Sequence, residues 1–156
     1  MIPTITLSDA DMAMARLIGN LRSVVNRCAK VNDPRVTGDP LDIDENGMIA
    51  EFAFCKRWNV FLDPTPRIRS GGYDCILNKK KIDVKGTGLK NGRLLKTMKE
   101  NEEVDCYALG IVDGNTVTFP GWAYSTELCQ EKNIINLGHG PCYALDQKYL
   151  RQWKDQ

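Results

Sequence analysis

The chain reads as a single α+β domain with a central mixed β-sheet flanked by helices. Three observations carry that reading. Apolar residues recur at helical spacing in the first third of the sequence. Period-two alternation and hairpin turns dominate the middle. A length of 156 residues suits one domain with its own core.

The elements follow in order. Ser8 and Asp11 form a capping-box pattern with Asp in the Glu position. Met14, Leu17, Ile18, Leu21, Val24, Val25 and Cys28 then recur at helical spacing, which predicts a helix over 9–29 with these residues on its apolar side. Residues 31–46, with Pro34, Gly38, Pro40 and several acids, read as a loop. A second helix is expected over 47–58, with Ile49, Phe52, Ala53 and Phe54 as apolar residues and Pro64 and Pro66 barring its continuation. Strands are expected at 73–77, 81–86, 92–98, 104–112 and 115–120, the last two joined by Asp113-Gly114. A helix at 123–131, a turn at 138–141 and a strand at 142–146 complete the pattern, a helix-then-meander order that suits α+β.

Composition excludes several classes. No stretch approaches the roughly 18 apolar residues of a membrane helix, so no membrane partner is expected. The start, Met1-Ile2-Pro3-Thr4, has neither a basic leader nor an apolar run, which makes the cytoplasm the expected location. The six cysteines form no CxxC pair and sit mostly in apolar segments, so reduced thiols are expected. Neither a GxSxG elbow nor a GxxxxGK[ST] loop is present. His139 is the only histidine, so chemistry needing two is excluded, and its glycine neighbours suggest a turn. Tyr73, Trp58 and Trp122 read as packing residues rather than base-stacking platforms.

Net charge is only +1, but its distribution is uneven. Residues 39–51 hold five acids and no Lys or Arg, whereas 79–99 hold eight basic residues around the single acid Asp83. In Lys81-Ile82-Asp83-Val84-Lys85, alternation puts Asp83 and Lys85 on one face and the apolar pair on the other. A two-residue turn at Asn78-Lys79 would pair Leu77 with Lys80 and set Asp74 opposite Asp83. Opposed carboxylates, with Cβ atoms about 4.5–5.5 Å apart, repel unless a cation stands between them. Lys85 beside them suits stabilisation of charge at a phosphorus centre. Glu51, an acid among Ala50, Phe52, Ala53 and Phe54, is the best helix carboxylate to join them.

Asp74, eight intervening residues, Asp83-Val84-Lys85 and a preceding Glu51 helix together resemble the PD-(D/E)xK nuclease superfamily. Gly47 to Lys56, Phe119-Pro120-Gly121-Trp122-Ala123 and Gly138-His139-Gly140-Pro141-Cys142-Tyr143 are similar to segments of its small phage and bacterial members. The resemblance covers roughly 47–150 of a single domain over 1–156 and leaves the helix within 1–30 outside. Tyr73 stands where the motif has Pro. The resemblance implies a restriction-endonuclease-like core and cleavage of phosphodiester bonds, chiefly in DNA, with RNA as the other candidate. It implies Mg²⁺ or Mn²⁺ held by Asp74, Asp83, Glu51 and the Val84 carbonyl, with Lys85 in catalysis. It also points to the cytoplasm of a bacterial or phage-infected cell and leaves a homodimer open. Lys90 and Arg93, just beyond the Asp83–Lys85 strand, are the expected phosphate contacts. Gly86-Thr87-Gly88 is expected to lead the chain out of that strand. The competing expectation is an inactive nucleic-acid-binding or regulatory protein with the same fold.

Overall fold

A computed structural model describes residues 1–28, 40–65, 72–98 and 103–154, without the side chains of 26–28 and 40–44. The fold is α+β. A short strand β1 (Thr4–Thr6) leads into helix α1 (Asp9–Cys28). The capping box forms as expected: Ser8 N–H donates to the Asp11 carboxylate at 2.9 Å and Asp11 N–H donates to Ser8 Oγ at 3.2 Å. Helix α2 spans Pro40–Trp58, so the expected loop 31–46 is corrected for residues 40–46, while 29–39 lie outside the described residues. Pro40 starts this helix rather than breaking a loop, since proline's fixed φ is tolerated in the first turn. The helix ends where Asn59 takes a φ of 50° and Val60 N–H donates back to the Cys55 carbonyl at 2.9 Å.

Seven further strands follow among the described residues, and two of the eight in all, β1 and β7, were not expected from the sequence. β2 (Cys75–Leu77) and β3 (Lys80–Thr87) form the expected hairpin, and β4 spans Leu94–Thr97. β5 (Cys106–Asp113) and β6 (Thr116–Tyr124) form the second hairpin. The helix expected at 123–131 shortens to α3 (Ser125–Leu128) plus a 3₁₀ turn over Glu131–Asn133. β7 (Ile134–Asn136), which the sequence reading missed, pairs with β8 (Pro141–Leu145).

The strands make two sheets, ordered β1-β6-β5-β3-β2 and β4-β8-β7. The larger is mixed, because β3 runs parallel to β5 while its other pairs are antiparallel. One core lies between this sheet and α2, with Ala50, Ala53, Phe54, Ile82, Val84 and Phe119 all buried and α1 contributing Met12, Ala15 and Ile18. The other face carries Tyr107 and Leu109 in a second core with Leu94, Ala123, Leu128 and Leu150. Helices therefore cover one face, and the three-stranded sheet with α3 covers the other.

Two departures bear on the site. The α1 face expected in the core is largely outside: Met14, Leu17, Leu21 and Val24 are each 46–55 % exposed. The helix instead buries Ala15, Gly19 and Ser23 along with Met12 and Ile18, small residues that admit a close approach to α2. Gly86 does not lead the chain out of β3. It lies within the strand, paired in register with Gly110 of β5. A Cβ at Gly86 would meet the Asn46 carbonyl oxygen at 2.5 Å and Ala50 Cβ at 2.9 Å, and one at Gly110 would meet Ala50 Cβ at 3.0 Å. The paired glycines thus form the floor on which Ala50, next to Glu51, rests.

Candidate functional site

The hairpin register is the expected one over Leu77↔Lys80, Ile76↔Lys81 and Cys75↔Ile82. Asn78 and Lys79 both take positive φ, 51° and 63°, as a two-residue turn between twisted strands requires. The ladder pairing ends at Cys75. One residue further out, Asp74 N–H donates to the Ile82 carbonyl at 2.8 Å, and Asp74 Oδ2 accepts the Val84 N–H at 2.7 Å. The Asp74 side chain thus takes over the edge of β3 where the backbone of β2 leaves off. A strand residue turns its N–H and C=O to the same side, so the Val84 carbonyl faces this edge too.

On β3 itself, Asp83 is 7 % exposed, and Lys85 Nζ lies 2.9 Å from its Oδ2. Lys85 also lies over the Tyr107 ring, 5.9 Å from its centroid. Glu51 reaches the same edge from α2 and is only 4 % exposed. The three acids feel one another. Burial, then the charges of Glu51 and Asp83, push Asp74 well above the usual carboxylate range, against the pull of the Val84 N–H and Lys85. Burial also raises Glu51, opposed by Arg22 and reinforced by Asp83 and Asp63.

Arg22 was invisible to the sequence reading, which left α1 outside the site. Its guanidinium grips Glu51 through two hydrogen bonds, Nη1 to Oε2 at 2.7 Å and Nη2 to Oε1 at 3.1 Å. Nη2 also donates to the Asp63 carbonyl at 3.0 Å. Burial works to lower the Arg22 pKa, but the hydrogen bonds and charge of Glu51 outweigh it and raise it. A planar fork of this kind fixes a carboxylate's orientation as well as its charge. No local signal could reveal the pair, since its members lie 29 residues apart on different helices.

The structure therefore brings Glu51, Asp74, Asp83 and Lys85 to one edge of β3. Among the described residues, no three His, Cys, Asp or Glu side chains form a ready cation shell. The donor set nonetheless suits a hard divalent cation: carboxylates with a backbone carbonyl beside them, and three acids facing two cations, Arg22 and Lys85.

Both expected phosphate contacts are tied to the segment that follows β8. Arg93 is ion-paired with Asp146 at 2.9 Å, and the Lys90 carbonyl accepts a hydrogen bond from Gln147. A cavity of about 280 Å³ lies beside Lys85 instead, lined also by Lys96 and His139 among others. Lys96, opposite in parity to Arg93 and so not among the expected phosphate contacts, is 7 % exposed on β4 and donates to the Thr97 carbonyl at 3.0 Å. Its burial parity with Leu94 was the available signal. His139 does sit in a turn, between Gly138 and Gly140 at φ of 97° and 96°, and also on this cavity wall. Cys55, Cys75, Cys106, Cys129 and Cys142 form no disulfide with one another, while the Cys28 side chain lies outside the described residues. No helix among the described residues is long and apolar enough to cross a membrane. No family model, curated protein or solved structure matches the chain.

Proposed function

We propose that the chain is a metal-dependent nuclease with a restriction-endonuclease-like core, hydrolysing phosphodiester bonds in DNA. One observation carries this reading: three carboxylates from three separate elements share one strand edge, with a lysine 2.9 Å from one of them. Buried like charges destabilise a fold, so such a cluster has the marks of a functional site rather than of a structural one.

Asp74, Asp83 and the Val84 carbonyl would hold Mg²⁺ or Mn²⁺, with Glu51 completing the shell. The bound ion would supply Lewis-acid stabilisation and a water of lowered pKa. Arg22 orients Glu51 through two hydrogen bonds and opposes the rise in its pKa that burial causes. Lys85 exchanges its bond to Asp83 for one from Nζ to a non-bridging phosphate oxygen, where charge grows as water adds to phosphorus and the P–O ester bond breaks. Lys85 would thus leave Asp83 free to hold a bound cation once substrate arrives.

Incubation with single- and double-stranded DNA and with RNA, in Mg²⁺, Mn²⁺ or EDTA, tests the reading. DNA cleavage that EDTA and Asp83→Asn both abolish is expected; intact polymers under every condition would overturn it. A second reading, an inactive nucleic-acid-binding protein, draws on the internal pairing of Asp83 with Lys85 and of Glu51 with Arg22. Metal-independent binding without turnover is its signature.

A further inference from the structure

A larger cavity, of about 520 Å³, lies beside the β2–β3 hairpin. Trp58 from the end of α2, Trp122 and Tyr124 from β6, and Trp153 near the C-terminus give it aromatic walls. One glycine makes it possible. A Cβ at Gly121 would meet the Arg151 carbonyl oxygen at 2.6 Å, so the bare backbone there lets the C-terminal segment lie against β6. Trp122 N–H donates to the Arg151 carbonyl at 3.1 Å, and Arg151 N–H donates to the Trp122 carbonyl at 2.8 Å. Beyond this bridge the chain runs on to Lys154 without helix or strand. It carries Trp153 to Trp58, with 4.4 Å between ring centroids.

Three features of the wall select a ligand. Arg151 is ion-paired with Glu127, which matches its charge, and its guanidinium lies over the Tyr124 and Trp122 rings, 5.0 and 5.7 Å from their centroids. A guanidinium anchored among rings is a stacking surface for a planar heteroaromatic group. The Trp153 indole N–H is buried without a hydrogen-bond partner among the described residues. That is a standing cost, which an acceptor on the edge of a ligand removes once the ring tilts towards it. Lys80 and Lys154 are exposed and also line the cavity. Exposed lysines exchange ionic partners at little cost, so both can turn to a phosphate whatever they hold at rest. The volume falls within the roughly 300–1,000 Å³ typical of small-ligand sites. Resting on the nuclease reading for the class of ligand, we propose that this cavity binds a nucleobase with its 5′-phosphate. The base stacks among the rings, an acceptor on its edge takes the Trp153 N–H, and the phosphate meets Lys80 and Lys154. A free mononucleotide and one unit of a single strand present this same chemistry. Ile82, on the cavity wall, points to the opposite face of β3 from Asp83, so binding here needs no metal.

All three tryptophans of the chain line this cavity, so intrinsic fluorescence reports on it directly. The test is a titration of the full chain, in EDTA, with deoxyadenosine 5′-monophosphate, deoxyadenosine, inorganic phosphate and a short single-stranded oligodeoxynucleotide. The mononucleotide should quench saturably and bind more tightly than deoxyadenosine, and phosphate alone should change nothing. Quenching by the mononucleotide assigns a free ligand, and quenching by the oligonucleotide alone assigns a strand. Saturation by neither overturns the site. Lys80→Ala with Lys154→Ala should weaken binding about fivefold, the share of two exposed contacts, and erase the preference for the phosphorylated form. Trp153→Phe keeps a ring and removes the donor. It should also weaken binding about fivefold, without lowering the melting temperature of the unliganded protein. The exposed lysine pair keeps the test open if Trp153→Phe fails to fold. Wild-type affinity in either folded variant overturns the proposal. The two proposals fail separately. Saturable binding without Mg²⁺-dependent cleavage removes the nuclease and keeps the cavity's role. Cleavage without saturable binding removes the cavity's role and keeps the nuclease.

Discussion

At its hairpin end, β3 runs beneath a wall of aromatic rings. Trp58 and Trp153 lie 4.4 Å apart between centroids, Phe54 and Trp58 4.3 Å, and Trp122 meets Tyr124 edge-on at 4.9 Å. Trp58, Trp122, Tyr124 and Trp153 line a cavity of about 520 Å³ there, beside Leu77 and Ile82. Arg151 on its wall is bound to Glu127 by three hydrogen bonds. The Trp153 indole N–H is buried without a hydrogen-bond partner among the described residues. A few residues along the same strand, around Asp83, the surroundings change to carboxylates pressed together by burial. The larger of these two hollows sits among the rings, and the smaller one sits beside the clustered charges. Volume alone points to one end of β3, whereas mutual repulsion between acids points to the other, where the proposed catalytic site lies.

Substitutions at the two ends should separate these roles. The largest effect is expected from Lys85→Ala, which should cut DNA turnover by about 10²–10³ while leaving metal and DNA binding in place. Single-turnover kinetics alongside metal titration would measure it. A variant as active as wild type would reduce the acid edge to a cation-binding feature. Next comes Arg22→Met, which strands Glu51 among apolar neighbours. Breaking a buried pair costs about 3–5 kcal/mol, and the lower end applies because the Arg22 side chain is 30 % exposed. Urea unfolding should show the loss, and Glu51→Gln in the same background should recover part of it.

At the aromatic end, Trp58→Ala should destabilise by roughly 2 kcal/mol, less than a fully buried ring because Trp58 is only partly buried. It should leave the metal dependence of the melting temperature unchanged. The smallest effect, and of opposite sign, is expected from Asp74→Asn. The amide can still accept the Val84 N–H while shedding the buried charge. An acid whose folded pKa is raised binds its proton more tightly folded than unfolded. Its contribution to stability is therefore favourable in acid and is lost as pH rises through the folded value. Asp74→Asn should then melt a few degrees higher than wild type at pH 8 without metal, about 1 kcal/mol for a domain of this size. The gain should vanish near pH 4. An unchanged or lower midpoint at pH 8 would mean that Asp74 carries no buried strain.

Much of this edge could be read from the sequence because it depends on short-range parity. A two-residue turn and alternating side chains fix Asp83 and Lys85 on one face and bring Asp74 near, whatever the rest of the chain does. Asp74 settles as an edge acceptor beyond the ladder, which depends on where β2 stops, and no residue pattern marks that point. The apolar face of α1 was read correctly only at Ile18, for a similar reason. Close helix packing favours Ala15, Gly19 and Ser23, while the larger Leu17 and Leu21 are left outside. β1 and β7, at three residues each, are too short to show a period. Arg22 meets Glu51 only through tertiary structure, 29 residues away on another helix.

The glycine pair under Ala50 has a consequence for how this protein could be altered over time. Gly86 and Gly110 set the height at which α2 rides over the sheet, and Glu51 is the residue next to the point of contact. A methyl group at Gly110 would touch Ala50 and tilt or lift the helix by a few tenths of an ångström, a shift that a hydrophobic core absorbs more readily than a carboxylate aimed at a strand edge does. Selection for soluble protein and selection for activity would then part at this position: the first would keep Gly110→Ala and the second would discard it.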